Sequence, residues 1–268
     1  LQFGTPEQRA RWLPEIVAGT SAWCIGMSEP DAGSDVASLR TTARRRGDVW
    51  VVDGQKVWTS GAATADWCYL VARTDPDAPV HEGLSELVVD MRSPGIEVRP
   101  IVDITGSEHF CEVRFDGVEV PAEHLVGTEN GSFRQLMRQM EHERGGIDRL
   151  VSNHRLYRDV LPLADRSDLR VREEVARLET GYRLGRLLVL REVLGQAPRG
   201  FSAATKTFCT EHEQRVAEFV GRVLGPGATL ADPGLRFRAS RNIAYGPAYT
   251  IVAGTAEILR NILAERVL

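Results

Sequence analysis

The hydrophobic periodicity of the chain changes near residue 125, and this change limits the folds that the chain can adopt. Before that point the sequence has short β-branched and aromatic runs, at 50–52, 68–72, 86–90 and 112–115. After it, apolar residues recur at steps of three and four, which is the period of an amphipathic helix. We therefore predict an α+β fold, in which a β domain precedes an antiparallel helical bundle.

The order of elements can be predicted in more detail. Thr5 and Pro6 suit the N-cap and first position of a short helix over 5–19. In the β-rich part, Asp53-Gly54 and Asp116-Gly117 have the composition of turns between strands. The predicted later helices cover 131–160, 167–195, 201–224 and 254–267. The predicted domains are 1–21, 22–122 and 123–268.

Composition narrows the class of protein. Of 268 residues, 43% are hydrophobic, which is enough for a large core, and the formal net charge of -4 does not favour nucleic acid as a partner. The four cysteines lack metal-site spacing and suit a reducing compartment, so we expect a cytoplasmic protein with no metal. No apolar stretch reaches the length of a membrane span, so none is expected.

One carboxylate stands out on the predicted helix over 131–160. Leu136, Met140, Glu143, Ile147 and Leu150 follow at steps of four, three, four and three, so they share one face. A carboxylate on an apolar face is expected to have a raised pKa, which suits a general base. The alternative is a core glutamate paired with an arginine.

Two segments of the β-rich part suit a planar ligand. Met27–Asp35 follows a hydrophobic run and combines backbone-flexible residues with small hydroxyls, although many β-turns have this composition. In the other segment, Trp58 is followed by Thr59 and Ser60, which places an aromatic plane beside hydroxyl groups. The alternative for Trp58 is a core position in a hairpin.

A third segment lies near the C-terminus. Gly254 and Thr255 stand where a helix is predicted to begin, and free N–H groups there can hold a carbonyl or phosphate oxygen. The alternative is a plain Thr-capped helix.

Together the three segments resemble the acyl-CoA dehydrogenase family. Met27–Asp35 is similar to its flavin loop, Gln55–Ser60 to its second flavin segment, and Gly254–Arg260 to its Gly-Thr-x-Glu-Ile-x-Arg signature. The resemblance extends over essentially the whole chain. It implies a central β-barrel-like domain and a C-terminal antiparallel four-helix bundle, with the family's N-terminal helical domain absent from this chain.

The resemblance also implies an activity. The family oxidises acyl-CoA thioesters to trans-2-enoyl-CoA with FAD: a Glu removes the α proton while the β hydrogen leaves as hydride to flavin N5. Implied cofactor-binding residues are Met27, Ser28, Gly33, Ser34, Trp58, Thr59, Ser60, Thr255 and Glu257. Implied substrate-binding residues are Ser34, Arg144, Ala253 and Gly254.

The base has two known positions in the family. Many members place it immediately before Gly-Thr, where this chain has Ala253. The isovaleryl-CoA and long-chain branches place it on the first C-terminal helix, just before an Arg, and Glu143-Arg144 is similar to that arrangement. We therefore predict Glu143 as the catalytic base.

The resemblance implies partners as well. These are an acyl-CoA substrate, electron-transferring flavoprotein as acceptor, and further subunits in a homo- or hetero-oligomeric dimer or tetramer. Two alternatives remain open at this point. One is a non-catalytic partner subunit of a hetero-oligomeric dehydrogenase, and the other is a flavin monooxygenase or oxidase of the same fold.

Overall fold

The predicted fold class is confirmed: a mixed β-sheet precedes a helical region. The computed structural model of the chain describes residues 2–144, 147–229 and 234–266, except for the side chains of residues 141–143 and 266. The chain forms two compact units, Leu1–Arg138 and Gln139–Leu268.

The first unit contains helix α1 (Pro6–Ala18) and one mixed sheet. Its strands are β1 (Trp23–Gly26), β2 (Thr42–Arg46), β3 (Val49–Ser60), β4 (Trp67–Arg73), β5 (Leu84–Asp90), β6 (Ile96–Ile101), β7 (Phe110–Pro121) and β8 (Leu125–Val126). They lie in the order β6-β7-β3-β2-β4-β5-β8, with β1 beside β4. β1 and β2 run parallel to β4, and the other pairs are antiparallel. Trp50, Leu70, Leu87 and Val113 lie in its core.

Helix α1 begins as predicted. The Thr5 hydroxyl accepts a hydrogen bond from the Gln8 N–H at 3.2 Å, and the Gln8 side-chain oxygen accepts one from the Thr5 N–H at 3.0 Å. This reciprocal capping box satisfies two backbone donors at the helix start. The Gln8 amide also donates to the carbonyls of Glu123 and Leu125, which attaches α1 to the end of the sheet.

The two turns predicted at Asp53-Gly54 and Asp116-Gly117 are wrong. Both pairs lie inside long strands, and the register between β3 and β7 shifts between Val52 and Gly54. The Asp53 carboxylate accepts a hydrogen bond from the Gly117 N–H at 2.8 Å. Gly54 and Gly117 have positive φ angles of 151° and 60°. A bulge needs this backbone freedom as much as a turn does, so the composition was ambiguous.

The second unit is helical. Its helices are the end of α2 (Ser132–Arg144), α3 (Asp148–Val151), α4 (His154–Val160), α5 (Leu169–Val193), α6 (Ser202–Leu224), α7 (Leu235–Tyr245) and α8 (Ala256–Arg266). Leu178, Val216, Phe219 and Ala239 are among its core residues. Each helix within the described residues is either too short or too polar to span a bilayer.

The single helix predicted over 131–160 is wrong. The described residues of this stretch form α2, α3 and α4, and Ile147 of the predicted buried face is 47% exposed. The Asn153 N–H donates to the buried Glu213 carboxylate at 2.8 Å. A backbone donor used in this way is not available to continue the helix. Sequence reasoning also missed α7.

Candidate active site

In the first unit, two of the predicted cofactor segments lie side by side. The Val57 N–H donates to the Ser28 carbonyl oxygen at 2.9 Å. This contact is available because the ladder between β3 and β7 shifts register between Lys56 and Thr59. The shift leaves Val57 and Trp58 outside the β7 pairing. The structure therefore brings the start of the Met27–Asp35 loop next to Trp58.

Trp58 lies on the protein surface. Its side chain is 57% exposed and its φ is 60°, a left-handed conformation that is strained for a bulky residue. The alternative of a core tryptophan is therefore wrong. The Trp58 ring meets Phe110 edge-on, with centroids 5.9 Å apart. Phe110 is a site neighbour that the sequence reasoning missed, because the bulge that aligns the two rings has no signature of its own.

The neighbouring hydroxyls differ in exposure. Ser60 is exposed, whereas Thr59 is buried and its hydroxyl has no hydrogen-bond partner among the described residues. In the loop, Met27 and Ser28 are half-buried, while Gly33 and Ser34 are exposed. An exposed indole beside small hydroxyls and open backbone fits a flat heterocycle that needs a cover and hydrogen-bond donors.

In the second unit, the segment before α8 forms a tight turn. Ala253 and Gly254 have positive φ angles of 56° and 94°. The Thr255 hydroxyl accepts a hydrogen bond from the Ile258 N–H at 3.3 Å, so Thr255 caps α8. Glu257 lies exposed in the first turn of the helix. Hydrogen bonds from its own backbone N–H and from Thr255 lower the pKa of Glu257.

Two buried cations hold this turn. The Arg144 guanidinium, 6% exposed, donates from Nε to the Ala253 carbonyl at 3.3 Å. The Lys206 ammonium of α6, 0% exposed, donates to the Gly254 carbonyl at 2.8 Å. Sequence reasoning missed Lys206, because lysine side chains are usually solvated. The carbonyls of Ala253 and Gly254 are thus held by side chains from two different helices, α2 and α6.

The predicted base can be placed only by its backbone. Glu143 belongs to α2, and its side chain lies outside the described residues. Arg144, the next residue, is the one that contacts Ala253. The end of α2 and the residue before Gly254 are therefore neighbours in the second unit.

The fold combines a mixed-sheet unit with a helical unit. Residues 24–118 match the family model "Acyl-CoA dehydrogenase, middle domain", and residues 130–268 match "Acyl-CoA dehydrogenase, C-terminal domain". The chain belongs to the acyl-CoA dehydrogenase family.

Known relatives agree with this assignment. Acyl-CoA dehydrogenase IpdE1 of Mycobacterium tuberculosis is 40% identical over 277 residues, covering 100% of this chain and 72% of that relative. FadE34 of the same organism is 38% identical over 281 residues, covering 100% of this chain but 38% of that relative.

Solved structures are also similar. One described as a Tcur3481-Tcur3483 steroid ACAD variant has a TM-score of 0.90 and 34% identity, covering 98% of this chain and 72% of that one. The ChsE4-ChsE5 complex from Mycobacterium tuberculosis has a TM-score of 0.87 and 32% identity, with the same coverage of both chains.

Proposed function

We propose that the chain is an FAD-dependent acyl-CoA dehydrogenase that desaturates the α,β bond of an acyl-CoA thioester with Glu143 as base. The observation that carries this proposal is the hydrogen bond from Arg144 to the Ala253 carbonyl. It joins the residue after Glu143 to the residue that stands where many family members have their base. Both known base positions therefore lie close together in this chain, and the one occupied by a carboxylate is residue 143.

The roles of the residues follow from this arrangement. Glu143 removes the α proton, and the Ala253 N–H donates to the thioester carbonyl, which stabilises the negative charge that develops there. Arg144 and Gly254 shape the substrate side of the turn. The chemistry that FAD supplies when bound is acceptance of the hydrogen that leaves the β carbon.

The first unit would hold the cofactor. Trp58 would cover one face of the flavin, Ser28 would contact its ring and Ser60 would donate toward it, with the remaining contacts of this unit from Met27, Gly33, Ser34 and Thr59. Ser34 also reaches the CoA portion of the substrate.

The relatives support a narrower substrate class. Two similar structures are described as a steroid ACAD, at 34% and 33% identity. We therefore propose that the acyl group carries a ring system. We further propose electron-transferring flavoprotein as the electron acceptor and a dimer or tetramer as the assembly.

The test is anaerobic bleaching of the flavin by a panel of straight-chain, branched and steroid-ring acyl-CoAs. We expect a ring-bearing acyl-CoA to bleach the flavin fastest. Glu143→Gln keeps the shape but removes the base, so bleaching should slow by at least about a hundredfold while substrate still binds. Glu141→Gln, two residues away and off the predicted face, is the matched control and should bleach at the parent rate. Bleaching of Glu143→Gln at the parent rate would exclude Glu143 as base.

A second candidate function is a non-catalytic partner subunit of a hetero-oligomeric dehydrogenase. It is favoured by Ala253 at the usual base position and by similar structures described with two protein components. In that case the purified chain would show no bleaching with any acyl-CoA, and Glu143→Gln would leave the activity of the reconstituted complex unchanged.

A further inference from the structure

Lys56 is a fully buried cation at the base of the Met27–Asp35 loop. It is 0% exposed, and its ammonium donates to the Met27 carbonyl at 3.0 Å and to the Glu29 carboxylate at 2.9 Å. Gly26 packs closely against Cys68 and Leu70, since a Cβ there would lie 3.0 Å from the Cys68 Sγ and the Leu70 Cδ1. The ammonium group of Lys56 thus has two oxygen acceptors inside the core.

The Glu29 carboxylate links the Met27–Asp35 loop to the residues just before β2. Its Oε2 accepts a hydrogen bond from the Arg40 N–H at 2.7 Å, and its Oε1 accepts one from the Thr41 N–H at 2.9 Å. Glu29, near the start of the Met27–Asp35 loop, therefore binds the backbone N–H groups of Arg40 and Thr41, which follow the loop. One carboxylate fixes both ends of the ten residues between Glu29 and Arg40.

The same contacts hold Ser28 from both sides. Lys56 binds the carbonyl before Ser28, Glu29 follows it, and the Val57 N–H donates to the Ser28 carbonyl. Burial alone would raise the pKa of Glu29, but the Lys56 charge and the hydrogen bonds it accepts lower it, so the carboxylate stays ionised. Burial lowers the pKa of Lys56, although Glu29 opposes that shift.

A buried ion pair is a poor way to stabilise a core. Desolvation of the two charges offsets much of their attraction, and apolar residues of similar volume often serve equally well. Unlike an apolar pair, this pair supplies directed hydrogen bonds to three backbone groups, the Met27 carbonyl and the N–H groups of Arg40 and Thr41. Its role is therefore to fix a conformation.

We infer that the Lys56–Glu29 pair is the positioning element that holds residues 27–41 in the conformation that receives the flavin. Neither residue needs to touch the cofactor. This inference rests on the proposed function, and it adds the device that orders the loop before the cofactor binds. A preordered loop binds more tightly because less conformational freedom is lost on binding.

The test compares two variants with different effects on the loop. Lys56→Met/Glu29→Gln replaces the ion pair with neutral groups of similar size, so no bare charge is left in the core. Val113→Ala is the control, because Val113 is buried directly opposite Lys56 on β7 and its apolar side chain has no group that could hydrogen-bond to the loop. Lys56→Met alone is a third variant, in which Glu29 keeps its charge but loses its partner.

Two readouts are measured on each variant. One is FAD affinity, from the change in flavin fluorescence on titration, and the other is the rate of tryptic cleavage after the exposed Arg40, which reports opening of the loop end. We expect the double variant to bind FAD at least about tenfold more weakly and to be cleaved faster after Arg40. Val113→Ala should change neither, even where its thermal midpoint falls further.

The outcomes separate this inference from the proposed function. Parent-like FAD affinity and cleavage in the double variant would overturn the inference, as would equal effects in Val113→Ala. If Lys56→Met does not fold, the neutral double variant still gives the answer. If the parent chain binds no FAD, the proposed function fails, while the cleavage rate still shows whether the pair orders the loop.

Discussion

The Lys206 ammonium donates a 2.8 Å hydrogen bond to the carbonyl oxygen of Gly254, just before α8 begins. In a trans peptide the N–H points away from the carbonyl of the same unit. The Thr255 N–H therefore points away from Lys206. By the same reasoning, the contact from Arg144 to the Ala253 carbonyl turns the Gly254 N–H away from Arg144. The directions of the Gly254 and Thr255 N–H groups thus depend on the buried side chains of Arg144 and Lys206.

Loss of Lys206 should release the Gly254 carbonyl and loosen the turn that carries the Ala253 N–H, so polarisation of the substrate carbonyl should weaken. We expect Lys206→Met to lower kcat by about tenfold or more, because a misaligned donor loses much of its effect on a developing oxyanion. The discriminating measurement is the pKa of a bound 3-oxoacyl-CoA, which should rise when its enolate is less well stabilised. FAD content serves as the control and should be unchanged. An unaltered ligand pKa and kcat would show that Lys206 has only a packing role.

Gly254 should be intolerant of a side chain for two separable reasons. Its φ is 94°, and a Cβ would lie 3.1 Å from the Arg144 guanidinium. Gly195 has a φ of 65° and open space around it, so Gly195→Ala is a matched control. Each alanine variant should lose about 1 kcal/mol of unfolding free energy from backbone strain. Only Gly254→Ala should also lose activity, as measured by turnover, and equal turnover in the two would contradict this.

Trp58 should increase FAD affinity while lowering the unfolding free energy of the protein. Its left-handed φ of 60° is strained, and its side chain is largely exposed. Glycine relieves the strain, so Trp58→Gly should keep or raise the unfolding free energy, by up to about 1 kcal/mol. FAD affinity should fall at least about tenfold as stacking is lost. Thermal denaturation measures the change in stability, and FAD titration measures the change in affinity. A variant that is less stable and binds FAD with the parent affinity would disprove both expectations.

Glu213 should make the helical unit less stable in alkaline solution. Burial raises the pKa of Glu213 to about 8, against opposition from the Asn153 N–H. Because the folded-state pKa is raised, the stabilising contribution is complete below the unfolded-state pKa and is lost as pH rises through about 8. We expect a loss of about 2–3 kcal/mol in unfolding free energy between pH 6 and 9, from denaturant titration.

Glu213→Gln should remove most of this pH dependence, since the amide does not titrate in that range. Glu218, exposed on the same helix, supplies the control, and Glu218→Gln should keep the parent pH profile. A profile that is unchanged in Glu213→Gln would assign the alkaline loss to other groups.

Several features were predictable from the sequence because they depend on neighbours in the chain. The capping box of α1 joins residues three apart, and the strands and long helices follow from periodicities of two and 3.6. Trp58 and Ser60 lie in one short motif and were singled out together, and both are exposed; their roles toward a cofactor stay a prediction.

Contacts between distant residues decided the rest. The sequence alone did not reveal whether Asp53-Gly54 is a turn or a bulge, because both need the same backbone freedom and pairing with β7 selects between them. The helix break at Asn153 depends on Glu213, 60 residues away, and the turn before α8 depends on Lys206, 48 residues from Gly254. Lys56 and Glu29, 27 residues apart, become a pair only when β3 lies beside the loop. Local patterns determine which elements form, whereas a buried polar group takes the partner that the packed chain brings to it.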